Sequence, residues 1–398
     1  MRASVVIVSR HRPALLRRCL TALRQQDHPA FEVVVVADPA GIAATEGLAI
    51  KRAGFDQANI SAARNLGIGL AAGDVVAFID DDAVAEPTWL SRLVAPFADP
   101  AVIAATGFVR GRNGISYQWQ GAEVDRFGED HPLAASATLV RAGSPDRTIK
   151  PQGTNCAFRR DVLAGAGGFD PAFRFFHDET DLALRIAGQG ATALVPDAQV
   201  HHGFAAGPYR RTDRVPVTLH EIAASTALFL RRHAGGTGAG WPALRAREWR
   251  RAVGHMVAGR IEPRDLRRLM ASLAEGWQDG LSRALFPPSA LTAAPPPFLP
   301  LPETGPRAGM LLSGRSADAD RLRSDAAAAV AAGRVVTLLL FAHGARAHRH
   351  GFTDGGWWEQ TGGLWGQSDR GAPRITRWTQ DARTRAEAER IAPYRPLK

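Results

Sequence analysis

Residues 75–82 read VVAFIDDD, and this stretch decides the fold class. Five consecutive apolar residues are typical of a strand that is buried on both faces of a parallel sheet. The carboxylates that end it, Asp80, Asp81 and Asp82, would repel each other strongly unless a cation lay between them. Ligands of open α/β sheets bind at the carboxyl ends of strands, and divalent metals prefer oxygen ligands. The stretch therefore predicts a metal site, with a solvated acidic turn as the alternative.

The composition is typical of a globular protein, and the chain has a net positive charge. Its 398 residues suffice for two or three domains, and an apolar content of 45% suits a real core. Arginine carries the net charge of +10, because Lys51, Lys150 and Lys398 are the only lysines. Arginine binds phosphate and carboxylate in a bidentate manner, so an anionic partner is indicated, with compositional bias as the alternative. The scarcity of lysine and the acidic site argue against nucleic acid.

The cysteines and the hydropathy pattern bear on the compartment. Cys19 and Cys156 lie in apolar contexts without metal-ligand spacing, which is typical of reduced thiols in a cytosolic protein. No signal peptide precedes the first strand, and no apolar run approaches the ~20 residues that span a bilayer. We expect a cytoplasmic protein, soluble or peripheral at the inner face of the membrane. Arginine-rich helices beyond residue 235 could contact such a surface, although ordinary packing is the favoured interpretation.

The hydrophobic pattern of the N-terminal half predicts an α/β fold. A strand at 4–8, a helix at 15–23 and a strand at 31–36 form a βαβ unit, which implies parallel strands. Helices are predicted at 59–71, 88–97 and 182–187, and strands at 75–79, 102–109 and 191–196. Residues 111–150 are polar and show no clear period. The predicted architecture is a Rossmann-like mixed, mostly parallel sheet flanked by helices.

The C-terminal part differs from the N-terminal part in its composition and hydrophobic pattern. We expect a catalytic domain at 1–235, a helical extension at 236–286, a proline-rich linker at 287–308 and a small α/β or β-rich domain at 309–398. Residues 287–306 hold eight prolines, which predicts either a linker or an extended segment along the domain wall. The tail contains Trp357, Trp358, Trp365 and Trp378, more than a small core needs. We therefore expect exposed tryptophans, and a tail that recognises the acceptor or mediates oligomerisation.

Several polar motifs follow one another in a recognisable order. Asp38 ends the second strand, the pair 64–65 (RN) lies on a helix, and the acids of 80–82 end a strand. The segments GTNCAFRR (153–160), HDETDL (177–182) and the histidines at 201–202 come later. No single motif is specific, but the order and spacing together resemble glycosyltransferase family 2. The resemblance covers roughly residues 3–235 and implies an inverting enzyme with the A-type glycosyltransferase fold.

The resemblance implies a set of donor-binding residues. Asp38 would accept a hydrogen bond from the base of the donor, as a carboxylate can from uracil, although the sequence ADPAG (37–41) departs from the usual family pattern. Arg64 would lie against the base or the diphosphate, with Asn65 as a contact or a buttress. Asp80 or Asp81 would bind the ribose hydroxyls. The other donor-side candidates are Ser9, Arg10 and Asn155.

The resemblance also implies a metal and a base. Asp82 would bind Mn²⁺ or Mg²⁺ through the diphosphate, and the register of the preceding strand favours His202 over His201 as the second ligand. Inverting transfer needs a base that takes the proton of the acceptor hydroxyl. By register Glu179 is that base and Asp178 the alternative, since the order of the two acids is swapped relative to the family. The alternative for both is that they are acids stabilised by a helix N-terminus without a catalytic role.

The predicted function is the inverting, metal-assisted transfer of a sugar from a nucleotide-sugar donor, UDP-linked, to a hydroxyl of a glycan or lipid-linked acceptor. A nucleotidyltransferase is one alternative. It would need a glycine-rich basic loop after the first strand, whereas SRHRP (9–13) has arginines and no glycine. A non-catalytic sugar-nucleotide-binding module is the other alternative.

Overall fold

The computed structural model describes residues 1–286 and 288–398, and its first part is the predicted parallel βαβ arrangement. Apolar runs form the strands, Pro13 lies in the first turn of α1, and the Asn59 side chain accepts a hydrogen bond from the backbone N–H of Ala62 at the start of α3. The elements are β1 (Ala3–Ser9), α1 (Pro13–Leu23), β2 (Phe31–Ala37), α2 (Pro39–Ala43), β3 (Lys51–Gly54), α3 (Ile60–Leu70) and β4 (Val75–Asp80).

The segment without a clear period contains five short strands. Runs of three or four residues are too short to show the alternation that identifies a strand. The elements that follow β4 are β5 (Ala83–Ala85), α4 (Trp89–Val94), β6 (Val102–Arg110), β7 (Tyr117–Trp119), β8 (Ala122–Asp125), β9 (Asp130–Pro132), β10 (Leu139–Ala142) and β11 (Arg147–Ile149). Strands β8, β9 and β11 form a separate sheet, while β7 and β10 join the central one.

The central sheet is completed by β12 (Cys156–Arg159) and β13 (Ala191–His202), with α5 (Arg160–Gly165) and α6 (Asp178–Ile186) between them. Its order is β10-β13-β6-β12-β4-β1-β2-β3, with β5 paired to β13 and β7 to β6. Along this path β1, β2, β3, β4, β6 and β13 run in one direction, and β12 and β10 run against them. The predicted mixed, mostly parallel sheet is thus confirmed.

The core lies on both faces of this sheet because successive side chains of a buried strand alternate between the faces. Val5 and Ile7 of β1 point into one apolar cluster, and Val6 points into the other. The same alternation holds in β4, where Ala77 and Phe78 belong to opposite clusters. The fully apolar run at 75–79 therefore reflects two buried faces.

Three helices and a second α/β unit follow the sheet. The helices are α7 (His220–His233), α8 (Gly240–Val257) and α9 (Pro263–Ser282). The C-terminal unit consists of β14 (Gly309–Arg315), α10 (Ala319–Ala331), β15 (Val335–Ala342), β16 (Arg349–Phe352), β17 (Trp358–Gly363) and α11 (Gln380–Ile391). Its sheet has the order β14-β15-β17-β16. No helix in the described ranges has the length and apolar character needed to cross a bilayer.

The described part of the proline-rich segment, residues 288–306, runs along the central sheet unit, which is the second of the two interpretations given above; residue 287, where the predicted linker begins, lies outside the described residues. The backbone N–H of Leu299 donates to the Glu32 carboxylate over 2.8 Å, and that of Leu301 donates to the Phe31 carbonyl over 2.9 Å. The Leu301 side chain is part of the central core. The segment therefore packs against the wall of the domain through both backbone and side chains.

The tail does not offer the exposed tryptophans that the sequence suggested. Trp358 is fully buried in a cluster with Val84 of β5 and Phe352 of β16, and the other three tryptophans are half-buried. Arg395 forms a buried bidentate ion pair with Glu86, which directly follows β5, at 2.6 and 2.8 Å. The tail thus shares a core and a buried charge pair with the central sheet.

Candidate functional site

A cavity of about 440 Å³ opens at the carboxyl ends of β1 and β4. The loop after β1, the end of β4 and the segment 205–210 line it. Four of the predicted site residues contribute to its wall, namely Ser9, Arg10, Asp80 and Asp82. The cavity lies where the topology of an open α/β sheet places its ligands.

Three side chains at the edge of this cavity are arranged as a metal site. One ligand atom each of Asp80, Asp82 and His202 lies within 4.8 Å of the other two. The Nε2 atom of His202 is 3.1 Å from Oδ1 of Asp82 and 3.8 Å from Oδ2 of Asp80. Pairing of β5 with β13 creates this arrangement, because Ala83, directly after Asp82, lies opposite His202. The structure thus brings the two predicted ligands together and adds Asp80.

The surroundings of His202 fit a metal. Its Nδ1 lies 2.8 Å from the side-chain oxygen of Gln118, which can accept a hydrogen bond from it, while Nε2 faces the two carboxylates and is the atom that would bind a cation. The other oxygen of Asp82 accepts a hydrogen bond from the backbone N–H of Ala205 at 2.6 Å. Two carboxylates and one neutral imidazole suit Mn²⁺ well and Mg²⁺ when waters complete its shell.

Asp81 has a different environment from the acids on either side of it. Its side chain is fully buried, accepts a hydrogen bond from Ser9 Oγ at 2.7 Å and lies 2.8 Å from the guanidinium of Arg12. Burial raises the pKa of Asp81 to about 7, although Arg12 opposes the shift. The expected contact of Asp81 with ribose is therefore not supported by this geometry. Asp80, whose side chain is 31% exposed, is the better placed of the two alternatives.

Other predicted donor contacts are occupied within the protein. The Asn155 side chain is fully buried, donates to the carbonyls of Phe108 and Ala198, and accepts from the indole of Trp89. It is not brought into the site, because no polar atom is left for a sugar.

Two further candidates support the backbone around the cavity. Asp38 accepts from the backbone N–H groups of His11 and Ala40 and caps α2, so its carboxylate is not free to recognise a base. Asn65 bonds both backbone groups of Phe169, which is the buttress role given as its alternative. Both side chains thus stabilise the backbone of loops near the cavity through hydrogen bonds.

Arg64 links the acids of two segments. Its buried guanidinium forms an ion pair with Asp178, donates to the Gly153 carbonyl at 3.0 Å and lies 3.7 Å from Asp80. It therefore does not lie in the cavity against a base, as expected, but connects the start of α6 to the metal-site acids. The Asp178 carboxylate is thus paired with the guanidinium of Arg64.

Glu179, the candidate base, differs from Asp178 in its burial and in its charged neighbours. It is half-buried, whereas Asp178 is buried. Burial raises the pKa of Glu179 and the neighbouring Asp178 raises it further, while Arg64 opposes the shift. A carboxylate with a raised pKa is a stronger base once it has lost its proton. Asp181, by contrast, is a structural acid that is bound by Arg185, Arg232 and His233.

The sequence analysis missed several residues around the cavity. Phe175 and Tyr209 stack with ring centroids 4.3 Å apart and line it, and Arg12 and Arg210 lie near the acids. An aromatic pair of this kind suits the face of a nucleotide base. The basic turn after β1 was a usable signal for Arg12. Tyr209 had none, because it comes together with Phe175 only through folding.

The N-terminal part of the chain is similar to known proteins. Residues 4–164 match the family model for glycosyl transferase family 2. A glucosyl-dolichyl phosphate glucuronosyltransferase from Haloferax volcanii is 34% identical over 113 residues, which are 28% of this chain and 34% of the relative. The succinoglycan biosynthesis protein ExoM from Rhizobium meliloti is 28% identical over 200 residues, 46% of this chain and 60% of that protein.

The match is partial in every case. The chain spans between about a third and three fifths of the length of these two curated relatives. Among solved structures, GalNAc-T7 with UDP, GalNAc and Mn²⁺ aligns with a TM-score of 0.45 at 16% identity, over 58% of this chain and 48% of that one.

Proposed function

Because residues 4–164 match the family model for glycosyl transferase family 2, we propose that this protein transfers a sugar from a nucleotide-sugar donor to a hydroxyl group of a glycan or lipid-linked acceptor. The reaction proceeds with inversion, and the donor is UDP-linked. The observation that carries the proposal is the convergence of Asp80, Asp82 and His202 at the edge of a cavity of about 440 Å³.

The chain supplies a binding surface for the donor. The stacked pair of Phe175 and Tyr209 offers an aromatic wall to the base. Arg10, Arg12 and Arg210 line the cavity and balance the negative charge of a diphosphate. When bound at Asp80, Asp82 and His202, Mn²⁺ or Mg²⁺ would neutralise charge on the departing nucleoside diphosphate.

The chemical step follows from the two acids at the start of α6. Glu179 removes the proton of the acceptor hydroxyl while its oxygen forms a bond to the anomeric carbon and the bond from that carbon to the diphosphate oxygen breaks. A single displacement from the face opposite the leaving group inverts the anomeric centre. Asp178, bound to Arg64, keeps the start of α6 connected to Asp80 through that arginine. Its charge also keeps Glu179 basic.

Two relatives favour a saccharide acceptor. By their names, one acts on a glucosyl-dolichyl phosphate and the other takes part in succinoglycan biosynthesis. A glycan or lipid-linked acceptor for this chain is consistent with both. A cytoplasmic location with peripheral contact at the inner membrane face would give access to either acceptor.

Calorimetric titration of UDP, with and without Mn²⁺, tests the donor site. We expect Mn²⁺-dependent binding in the unaltered protein and its loss in Asp82→Ala, because that variant removes a carboxylate from the metal group. Asp320→Ala removes an exposed acid of α10 in the tail and serves as the control. Equal affinity of the Asp82 variant in the presence of Mn²⁺ would contradict the metal site. A parallel panel of sugar nucleotides, read by metal-dependent thermal stabilisation, identifies the donor.

A further inference from the structure

A second cavity, of about 700 Å³, lies between α7, α8 and the turn that joins β8 to β9. None of the described residues lines both this cavity and the donor cavity. Its apolar wall comes from Phe127, Leu230 and Leu244, and the side of α8 adds two arginines. A large cavity with an apolar lining and a few convergent polar groups is the usual form of a small-molecule site.

His177 lines this cavity and has an unusual environment. Its side chain is more than nine-tenths buried, its ring stacks on Phe229 at 4.7 Å, and Nδ1 has no hydrogen-bond partner among the described residues. Burial lowers the pKa of His177, and the charges of Lys150 and Arg247 lower it further, so the ring is neutral at pH 7. A buried polar atom without a partner needs an explanation, and an absent ligand provides one.

The backbone at this position is strained. Phe176 and His177 have φ values of 73° and 65°, in the left-handed region that bulky residues rarely adopt. Two consecutive residues of this kind directly precede Asp178 and Glu179. Strain of this type persists where the surrounding structure holds a functional segment in place. In this backbone conformation the ring of His177 lines the second cavity, and the next two residues, Asp178 and Glu179, begin α6.

The arginines of α8 provide the charge in the cavity. Arg250 has no carboxylate partner among the described residues, and the Nε atom of Arg247 lies 3.3 Å from Glu248, a long contact that leaves its terminal nitrogens free. Both side chains line the cavity. Glu129 also lines the cavity but comes from the turn between β8 and β9, so an anionic group would lie on the α8 side, where the arginines are. Arginine binds phosphate through two parallel hydrogen bonds.

We propose that this cavity binds the acceptor, and that the acceptor is a phosphorylated amphiphile. Its phosphate lies against Arg247 and Arg250, and its apolar part lies along Phe127, Leu230 and Leu244. This assignment rests on the proposed glycosyl transfer, because it places the acceptor site next to the strained turn that leads to Glu179. It explains why the cavity combines an apolar wall, two arginines and a neutral histidine.

Binding of octyl phosphate, below its micellar concentration, tests the site by calorimetry. We expect octyl phosphate to bind the full chain more tightly than octanol or inorganic phosphate, because each of these lacks one half of the recognised chemistry. In the double variant Arg247→Ala/Arg250→Ala the dissociation constant should rise at least about tenfold, since hydrogen bonds to charged groups are lost. The matched control is Arg245→Ala/Arg260→Ala, which removes two exposed arginines outside the cavity.

Three results would overturn the proposal: no binding of octyl phosphate, equal affinity for inorganic phosphate, or an equal loss in the control variant. Binding of UDP with Mn²⁺ is measured in the same samples and should be unchanged in both double variants, which also shows that they are folded. Failure of UDP to bind the unaltered protein would contradict the proposed function. Failure of octyl phosphate alone would contradict only the acceptor site.

Discussion

At the scale of single residues, Glu179 and Asp178 are adjacent in sequence but differ in environment. Arg64 holds the Asp178 carboxylate, whereas Glu179 is half-buried beside a like charge. Glu179→Gln keeps the shape and removes the base, so turnover should fall by roughly 10² or more with donor affinity unchanged. Initial rates of transfer and UDP titration measure the two effects. Retained turnover in Glu179→Gln, together with its loss in Asp178→Asn, would assign the base to Asp178.

The raised pKa of Glu179 leads to a prediction about pH. The base acts when it has lost its proton, so kcat/KM should rise with pH through the pKa of the acid pair. Asp178→Asn removes the negative charge that raises the pKa of Glu179 and leaves Arg64 free to lower it. The rising limb of the pH–rate profile should therefore move to lower pH in this variant. A limb that stays in place, or moves to higher pH, would contradict the electrostatic coupling of the two acids.

At the scale of elements, the metal group depends on short strands at the edge of the sheet. Pairing of β5 with β13 brings Asp82 to His202, and pairing of β7 with β6 brings Gln118 to the imidazole. The contact with Gln118 thus orients the His202 ring with Nε2 towards Asp82 and Asp80. A ligand held in this way binds the metal without first having to be ordered.

Removal of the Gln118 contact should weaken metal binding. Gln118→Leu leaves Nδ1 of His202 without its acceptor, and the loss of such an outer contact lowers metal affinity by roughly 10- to 100-fold. Titration of Mn²⁺ in the presence of UDP measures the change. Gln189→Leu, at an exposed position, is the matched control. If both variants bind Mn²⁺ like the unaltered protein, Gln118 does not orient His202.

At the scale of the whole molecule, the tail packs against the central sheet unit and pairs with one of its buried charges. Glu86 is buried, and its pKa is held low chiefly by the charge of Arg395, which lies 309 residues further along the chain. The same carboxylate accepts a hydrogen bond from His201 at 2.8 Å, next to the metal-site residue His202. The tail therefore neutralises a buried charge that lies close to the metal group.

Loss of this ion pair should destabilise the whole protein. Arg395→Ala leaves the Glu86 carboxylate buried without its main partner, which costs about 3–5 kcal/mol. Urea denaturation measures the change in the free energy of unfolding, and Arg385→Ala, at an exposed position of α11, is the control. The double variant Glu86→Gln/Arg395→Met should recover part of the loss, because no uncompensated charge remains. Equal stability of Arg395→Ala and the control would mean that the tail is a separable module.

The sequence by itself indicated the βαβ units, the mixed sheet, the similarity to glycosyl transferase family 2 over residues 4–164 and the candidate metal ligands Asp82 and His202. Those features depend on local periodicity and on the order of motifs, which are visible along the chain.

Only the tertiary structure decided which polar residues remain available for ligands. Asp38 and Asn155 have the chemistry of donor-binding residues, but backbone groups distant in sequence occupy their side chains. The prediction of exposed tryptophans in the tail was wrong for the same reason, because Trp358 packs against Ala22 and Val84, which lie far from it in the sequence. Hydrogen bonds, burial and ion pairs between distant segments form only when the chain has folded, so no local pattern records them.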